Sequence, residues 1–214
     1  MSTSTSVDRA SESRLHLRNE PVQARSTARL TALLDAAAAV IDEIGYERLT
    51  TAMVAERAGA SIGTVYRYFP DRIALLQALS ARNLERVLAG VSDTVADPRF
   101  EDWRSALKAG FERFTEAYKG EPGFRSLRVG DVLDLRPAPE PCANSVVADH
   151  LLDVLIKRFG LSDGPKLRLH FRAAIEVSDA LATRAFAGTG KADQQYLDLA
   201  WQTVEHVIQG GMEA

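Results

Sequence analysis

An all-α protein of about nine helices, grouped into two domains, is the fold class this sequence predicts. Three observations point to it. Apolar residues recur with the helical period along most of the 214-residue chain. No stretch alternates apolar and polar residues with the period of two that a half-buried strand requires. The breaks between periodic stretches carry helix-stop and helix-start chemistry, with glycine or proline after one and serine, threonine or aspartate before the next.

Residues 1–22 are rich in Ser, Thr and Arg, close on Asn19-Glu20-Pro21, and read as a disordered arm. From Ser26 onward, Leu30, Leu33, Leu34, Ala37, Val40, Ile41 and Ile44 form a helical stripe of four turns that Gly45 ends. Thr50 or Thr51 caps a short helix that stops at Gly59, and Ser61 caps a second that Pro70 ends. Asp71 then opens a long helix with Ile73, Leu76, Leu79, Leu84, Val87, Leu88 and Val91 on one face, broken at Ala96-Asp97-Pro98. Trp103, Leu107, Phe111, Phe114 and Tyr118 mark the next helix. Residues 121–141 are irregular and end in a proline-rich connector. Helices follow at about 143–159, 164–187 and 191–209, the last two an antiparallel hairpin across Gly188-Thr189-Gly190. The chain thus divides into the arm (1–22), a first domain (23–90) and a second domain (91–214).

Composition narrows the function classes. Hydrophobic residues at 46% and charged residues at 26% are ordinary globular values. No apolar run approaches the roughly 20 residues that span a bilayer, and the N-terminus lacks the apolar core of a secretory signal, so a cytoplasmic protein without a membrane partner is expected. The single cysteine, Cys142, excludes an internal disulfide, and the four histidines lie far apart, so no metal or cofactor is expected. Net charge is −3, but residues 1–90 carry 11 basic residues, all arginine, against 10 acidic ones. Arginine suits planar, bidentate recognition of phosphate and base edges. Any nucleic-acid contact must be local, because the rest of the chain is acidic.

The most informative stretch is "GASIGTVYRYFPDR", Gly59 to Arg72. Two helices of about seven residues, joined at Gly59-Ala60-Ser61, form a helix-turn-helix too short to be stable alone. Met53, Val54, Ala58, Ile62 and Val65 are the apolar positions available to pack it on the preceding long helix. The outer face of the second helix then carries Gly63, Thr64, Tyr66, Arg67 and Tyr68. A DNA major groove admits one such helix, whose first residues reach base edges while hydroxyls and free amides meet phosphates. Gly63 allows close backbone approach, and Thr64 offers a hydroxyl and a methyl.

"LTTAMVAERAGASIGTVYRYFPDRIALLQAL", Leu49 to Leu79, resembles the DNA-binding signature of the tetracycline-repressor-like (TetR) family of bacterial transcriptional regulators. The resemblance rests on Thr51, Ala55, Ala58-Gly59-Ala60-Ser61, Gly63-Thr64-Val65-Tyr66, Tyr68-Phe69, Arg72 and Leu75, and covers about residues 26–90. Tyr68 stands where many members carry histidine, Arg72 where lysine is common, and Ala52 where some carry a polar base reader. Taken with the local reading, the resemblance implies DNA contacts by Thr50, Thr51, Ser61, Ile62, Gly63, Thr64, Tyr66, Arg67, Tyr68 and Arg72. It also implies a homodimer on a near-palindromic double-stranded operator, and a helical C-terminal domain that takes a small-molecule effector, most simply as a repressor released by that effector.

For the effector pocket the candidates are Trp103, Phe111, Phe114, Tyr118, Phe124, Phe171 and Ile175, with Asn144, His150 and Asp179 as polar anchors. The aromatic residues serve equally as core, and Glu176, Ser178 and Asp179 equally as surface. For the dimer interface, two apolar stripes are candidates: Phe171, Ala174, Leu181 and Phe186 on one helix, and Leu197, Trp201, Val204 and Ile208 on the last. Enzyme chemistry has no support, since no nucleophile-base spacing, phosphate loop or carboxylate pair is present; a helix-turn-helix that binds protein instead of DNA is the other class.

Overall fold

In the computed structural model, the described residues are 6–120, 124, 142–188 and 191–213, and they hold eight α-helices, a single 3-10 turn and no strand. The irregular segment read at 121–141 lies outside the described residues except for Phe124, as do Thr189 and Gly190 of the expected hairpin turn. The helices divide into two compact units, Met1–Leu75 and Leu76–Ala214. The division falls inside the fourth helix, nearer its start than the boundary at 90 read from sequence. Beyond Leu76 that helix already contributes Leu79, Val87 and Val91 as buried residues.

In the first unit, α1 (Ser6–Ile44) buries Leu33, Ala37, Val40 and Ile41, the predicted stripe. Its start at Ser6 differs from the expectation of a disordered arm over 1–22; no glycine or proline precedes Pro21, and Ala10, Glu12, Leu15 and Leu17 are good helix formers. Gly45 ends it at φ 83°, its N–H donating to Ile41 O at 2.8 Å. A 3-10 turn, Tyr46–Arg48, leads through buried Leu49 to α2 (Thr51–Arg57) and α3 (Ile62–Tyr68). Between them Gly59 takes the left-handed conformation (φ 58°). Its N–H donates to Glu56 O at 3.2 Å, and that of Ala60 to Ala55 O at 2.9 Å. This paired closure satisfies two of the carbonyls a helix end leaves open and sets the angle of the turn. Val54, Ala55, Val65 and Phe69 form the buried side of the motif. Met53 (40% exposed) and Ile62 (46% exposed), expected to pack inward, are instead exposed.

α4 (Arg72–Ala96) starts at Asp71, whose Oδ1 accepts from Ala74 N–H at 2.8 Å. α5 (Trp103–Gly120) starts at Asp102, which accepts from the Ser105 amide at 2.9 Å and the Ser105 hydroxyl at 2.6 Å. These bonds, the hydroxyl first, hold the Asp102 carboxyl below its usual pKa. In the second unit, α5 lies so close on α4 that a Cβ at Gly110 would come 2.7 Å from Val95 Cγ2. α6 (Ala143–Phe159) ends at Gly160 with φ 66°. Its Arg158 donates from Nη1 to Val95 O, near the end of α4, and from Nη2 to Phe100 O in the link to α5.

α7 (Pro165–Ala185) and α8 (Gln194–Met212) form an antiparallel pair: Asp193 N–H donates to Ala185 O, while at the far end Gly211 passes His170 and Leu167. A Cβ at Gly211 would sit 2.8 Å from His170 Cβ. This pairing corrects the dimer assignment. Phe171, Ala174 and Phe186 on α7, and Leu197, Val204 and Ile208 on α8, are buried in the protomer's own core. Phe171 is 1% and Val204 4% exposed, so these two side chains pack inside their own chain. Leu181 and Trp201 are half-buried, and the Trp201 ring packs on Phe111 with centroids 6.0 Å apart. Two amphipathic helices joined by a short link bury their strongest stripes against each other first. What they leave outward is weaker: Leu169 (67% exposed), Ala173 and Ala180 on α7, and Leu199 (48% exposed) on α8.

Candidate DNA interface and ligand cavity

The helix-turn-helix presents α3 through two side-chain caps. Thr50 Oγ1 accepts from Met53 N–H at 3.3 Å at the start of α2. Ser61 Oγ accepts from Thr64 N–H at 3.2 Å at the start of α3. Caps of this kind stabilise a helix by about 1 kcal/mol, a large term for a seven-residue helix. Ser61 Oγ also lies 2.9 Å from Thr64 Oγ1, so the Thr64 hydroxyl is engaged within the cap. Ile62 (46% exposed), Gly63, Tyr66 (50% exposed) and Arg67 form the open outer face. At Gly63 an added Cβ would meet nothing nearer than Ser61 Oγ at 3.9 Å, so the backbone there is open to close approach.

Three residues predicted to touch DNA have internal tasks. Thr51 is buried, and its Oγ1 donates to the Tyr66 hydroxyl at 3.3 Å, fixing where that phenol points. The Tyr68 hydroxyl lies 3.2 Å from Ser26 Oγ, tying the end of α3 to α1, while the Arg67 guanidinium sits over the Tyr68 ring at 5.5 Å. Arg72 is the third: its Nη2 donates to Tyr46 O at 2.5 Å and its Nε is buried, so the guanidinium clamps the chain after α1. The missed member is Arg57, paired with Glu43 through two short bonds that fasten α2 to α1 and hold the Glu43 carboxyl below its usual pKa. Their separation in sequence, across a turn, leaves no periodic signal.

Within the second unit lies a partly open, mainly apolar cavity. α4 supplies Leu84, Val87, Leu88 and Val91, and α5 supplies Leu107, Gly110, Phe111, Phe114 and Tyr118. Phe124, Val147, Leu151, Ile175 and Val204 complete the apolar wall, and Asn144, Ser178 and Asp179 are its polar members with Tyr118. Phe114, Tyr118 and Phe124 meet edge to face, and Tyr118 stacks on Phe186 at 4.8 Å. The Tyr118 hydroxyl donates to Asp179 Oδ1 at 3.1 Å, and Asn144 Nδ2 to Glu176 Oε2 at 2.9 Å.

Of the predicted pocket residues, Phe111, Phe114, Tyr118, Phe124, Asn144, Ile175 and Asp179 line this cavity. Trp103, His150 and Phe171 do not. His150 is on the exposed side of α6, Phe171 is enclosed within the core, and Trp103 packs against the core from the first turn of α5, one turn before the lining begins at Leu107. The aliphatic lining from α4 was missed because it reads as an ordinary core face. Gly110, set between Leu107 and Phe114 on an apolar stripe, was the one sequence signal of a gap or close approach there.

Two family models match the chain: bacterial regulatory proteins of the tetR family over residues 33–79, and the tetracyclin repressor-like C-terminal domain over residues 101–207. The chain belongs to the tetR family. A TetR-family transcriptional regulator from Streptomyces coelicolor has the same fold with TM-score 0.70 and 30% identity, over 86% of this chain and 99% of that one. FadR from Bacillus subtilis, solved with stearoyl-CoA, shares the fold at 19% identity and TM-score 0.61, over 84% and 98% of the two chains. The transcriptional repressor KstR of Rhodococcus jostii is 46% identical over 55 residues, 26% of each chain. The chain therefore spans about a quarter of the length of that curated relative. As a TetR-family member, this protein has the N-terminal helix-turn-helix and the C-terminal helical domain expected from its sequence. Among the described residues, no helix is long and apolar enough to cross a membrane.

Proposed function

We propose that this TetR-family protein is a cytoplasmic, sequence-specific transcriptional repressor that binds a near-palindromic operator as a homodimer and leaves it when a small apolar effector enters the cavity. The observation that carries the DNA-binding half is the outer face of α3, where Ile62, Gly63, Tyr66 and Arg67 stand open on a helix capped by Ser61. Ile62 suits apolar contact with thymine methyls, Arg67 suits guanine edges, and Tyr66 suits phosphate. The KstR relatives, described as repressors, support repression as the mode.

Dimerisation is needed because one seven-residue helix reads too few bases, and paired half-sites lie about one helical turn apart. The surface that fits it is the outward side of α7 and α8 at Leu169, Ala173, Ala180 and Leu199. Regulation is supported by α4, a single helix from Arg72, three residues after Phe69, to the cavity wall at Leu84–Val91. A tenfold loss of DNA affinity requires only about 1.4 kcal/mol of preference by the effector for the released state.

The test is operator selection with the purified protein, followed by titration of the selected DNA against salt and against candidate effectors. Log affinity is expected to fall linearly with log salt, with about 0.9 of slope per phosphate neutralised. A flat salt response overturns the DNA reading. Leu199→Glu is expected to give a monomer by sedimentation with weakened operator binding and unchanged helix content; an intact dimer removes the proposed interface.

A further inference from the structure

We propose that the cavity takes apolar molecules that carry a carbonyl oxygen, as in a ketone, ester or amide, and that Ser178 and Asn144 donate the hydrogen bonds to it. This rests on the reading of the cavity as the effector site. Ser178 is the residue that carries the inference. It lies in the interior of α7, lines the cavity and is 5% exposed. On its helix it continues the buried row of Ala174 and Ala182, each one turn away and fully enclosed. Alanine at 178 would complete that row with a higher helix propensity and no polar atom to bury. Packing alone therefore gives no reason for the hydroxyl.

A serine or threonine inside a helix can return its hydroxyl to a carbonyl of the preceding turn. Thr94 does so to Gly90 O, Thr115 to Glu112 O and Thr203 to Leu199 O, each at 2.8 Å. Ser178 makes no such bond, and its hydroxyl has no partner among the described residues. A buried hydroxyl in that position gives up water with nothing in its place, and the cavity it lines is where a partner can enter. Asn144, also in the lining, directs one Nδ2–H to Glu176 Oε2 at 2.9 Å and carries a second. Tyr118 and Asp179, the other polar members of the lining, are bonded to each other and have further interactions, so the selection does not turn on them. The N–H is a donor only, and the unpaired serine proton needs an acceptor, which a carbonyl oxygen supplies through two lone pairs. The aromatic corner of Phe114, Tyr118 and Phe124 suits a rigid ring body on the same molecule.

The test uses two probes of one shape, acetylnaphthalene and isopropenylnaphthalene, in which a CH2 group replaces the carbonyl oxygen. Their binding to the purified full chain is measured by equilibrium dialysis, and both are expected to bind the parent protein. Ser178→Ala is expected to weaken the ketone by about fivefold, equivalent to about 1 kcal/mol, and to leave the hydrocarbon within about twofold. Asn144→Ala is expected to act in the same direction, with circular dichroism verifying an unchanged helix content in both variants. A ketone-to-hydrocarbon affinity ratio unchanged in both variants overturns the carbonyl selection and leaves the cavity reading standing. Equal weakening of the two probes also overturns it, since that is the signature of an altered wall and not of a lost hydrogen bond. No binding of either probe to the parent protein, up to its solubility limit, overturns the effector-site reading, and this inference with it.

Discussion

Replacing Arg72 with alanine tests which of two roles the residue carries. If the guanidinium met DNA phosphate, its loss would reduce the salt slope of operator binding by about 0.9 and leave stability alone. The structure places Nη2 on Tyr46 O at 2.5 Å, part-buried, which makes Arg72 a clamp of the first unit. A hydrogen bond to a charged group contributes about 1.5–3 kcal/mol. Tyr46 O keeps a second, longer bond from Leu49 N–H at 3.3 Å, so the lower end of that range, about 1.5 kcal/mol, applies. With a urea dependence of roughly 1.5 kcal/mol per molar, the transition of the first unit should move down by about 1 M. Both tryptophans, Trp103 and Trp201, belong to the second unit, so their fluorescence follows that unit while circular dichroism follows both. The expected result is an early dichroism transition with the tryptophan transition unmoved, and an operator salt slope equal to that of the parent protein. An unmoved urea midpoint together with a slope reduced by about one refutes the clamp and restores the phosphate contact.

Two further predictions concern the second unit. Gly110→Ala introduces a Cβ 2.7 Å from Val95 Cγ2, and Val95 is fully buried; overpacking of about 1–3 kcal/mol outweighs the gain of about 1 kcal/mol from replacing glycine in a helix. The tryptophan-monitored urea midpoint should fall or at best hold, and a clear rise would show that α4 and α5 are free to part. Asp149 is held below its usual pKa by its bonds to Arg172 at 2.7 and 3.1 Å, and Asp163 by its bonds to Arg168 at 2.8 Å. Carboxylates lowered on folding add stability that is present above their unfolded pKa, near 3.9, and lost as pH falls through the folded value. The Tm deficit of Asp149→Asn at neutral pH should therefore close on acidification below about pH 4; a deficit constant with pH would mean the pair contributes nothing electrostatic.

Local chemistry was legible in the sequence. The caps at Thr50, Ser61 and Asp71, the left-handed Gly59 and the stop at Gly45 are each decided within a few residues, because an N-cap hydrogen bond or a positive φ depends on neighbours along the chain. The apolar periodicity likewise determined which face of each long helix turns inward, and the motif from Leu49 to Leu79 determined the family.

Periodicity says that a stripe must be covered, and says nothing about what covers it. For α7 and α8 that was decided by tertiary structure: Phe171, Val204 and Ile208 are buried within the same chain, while Leu169, Ala173, Ala180 and Leu199 stay outward. The same reason separates Asp179, which reaches the cavity, from His150, which does not, since both look alike as polar residues on helices. Arg72 shows the limit most plainly. Its sequence position marks a basic residue beside the recognition helix, but a carbonyl 26 residues earlier in the chain takes its guanidinium. Contacts across such separations depend on where folding brings the backbone, and no local pattern of residues encodes them.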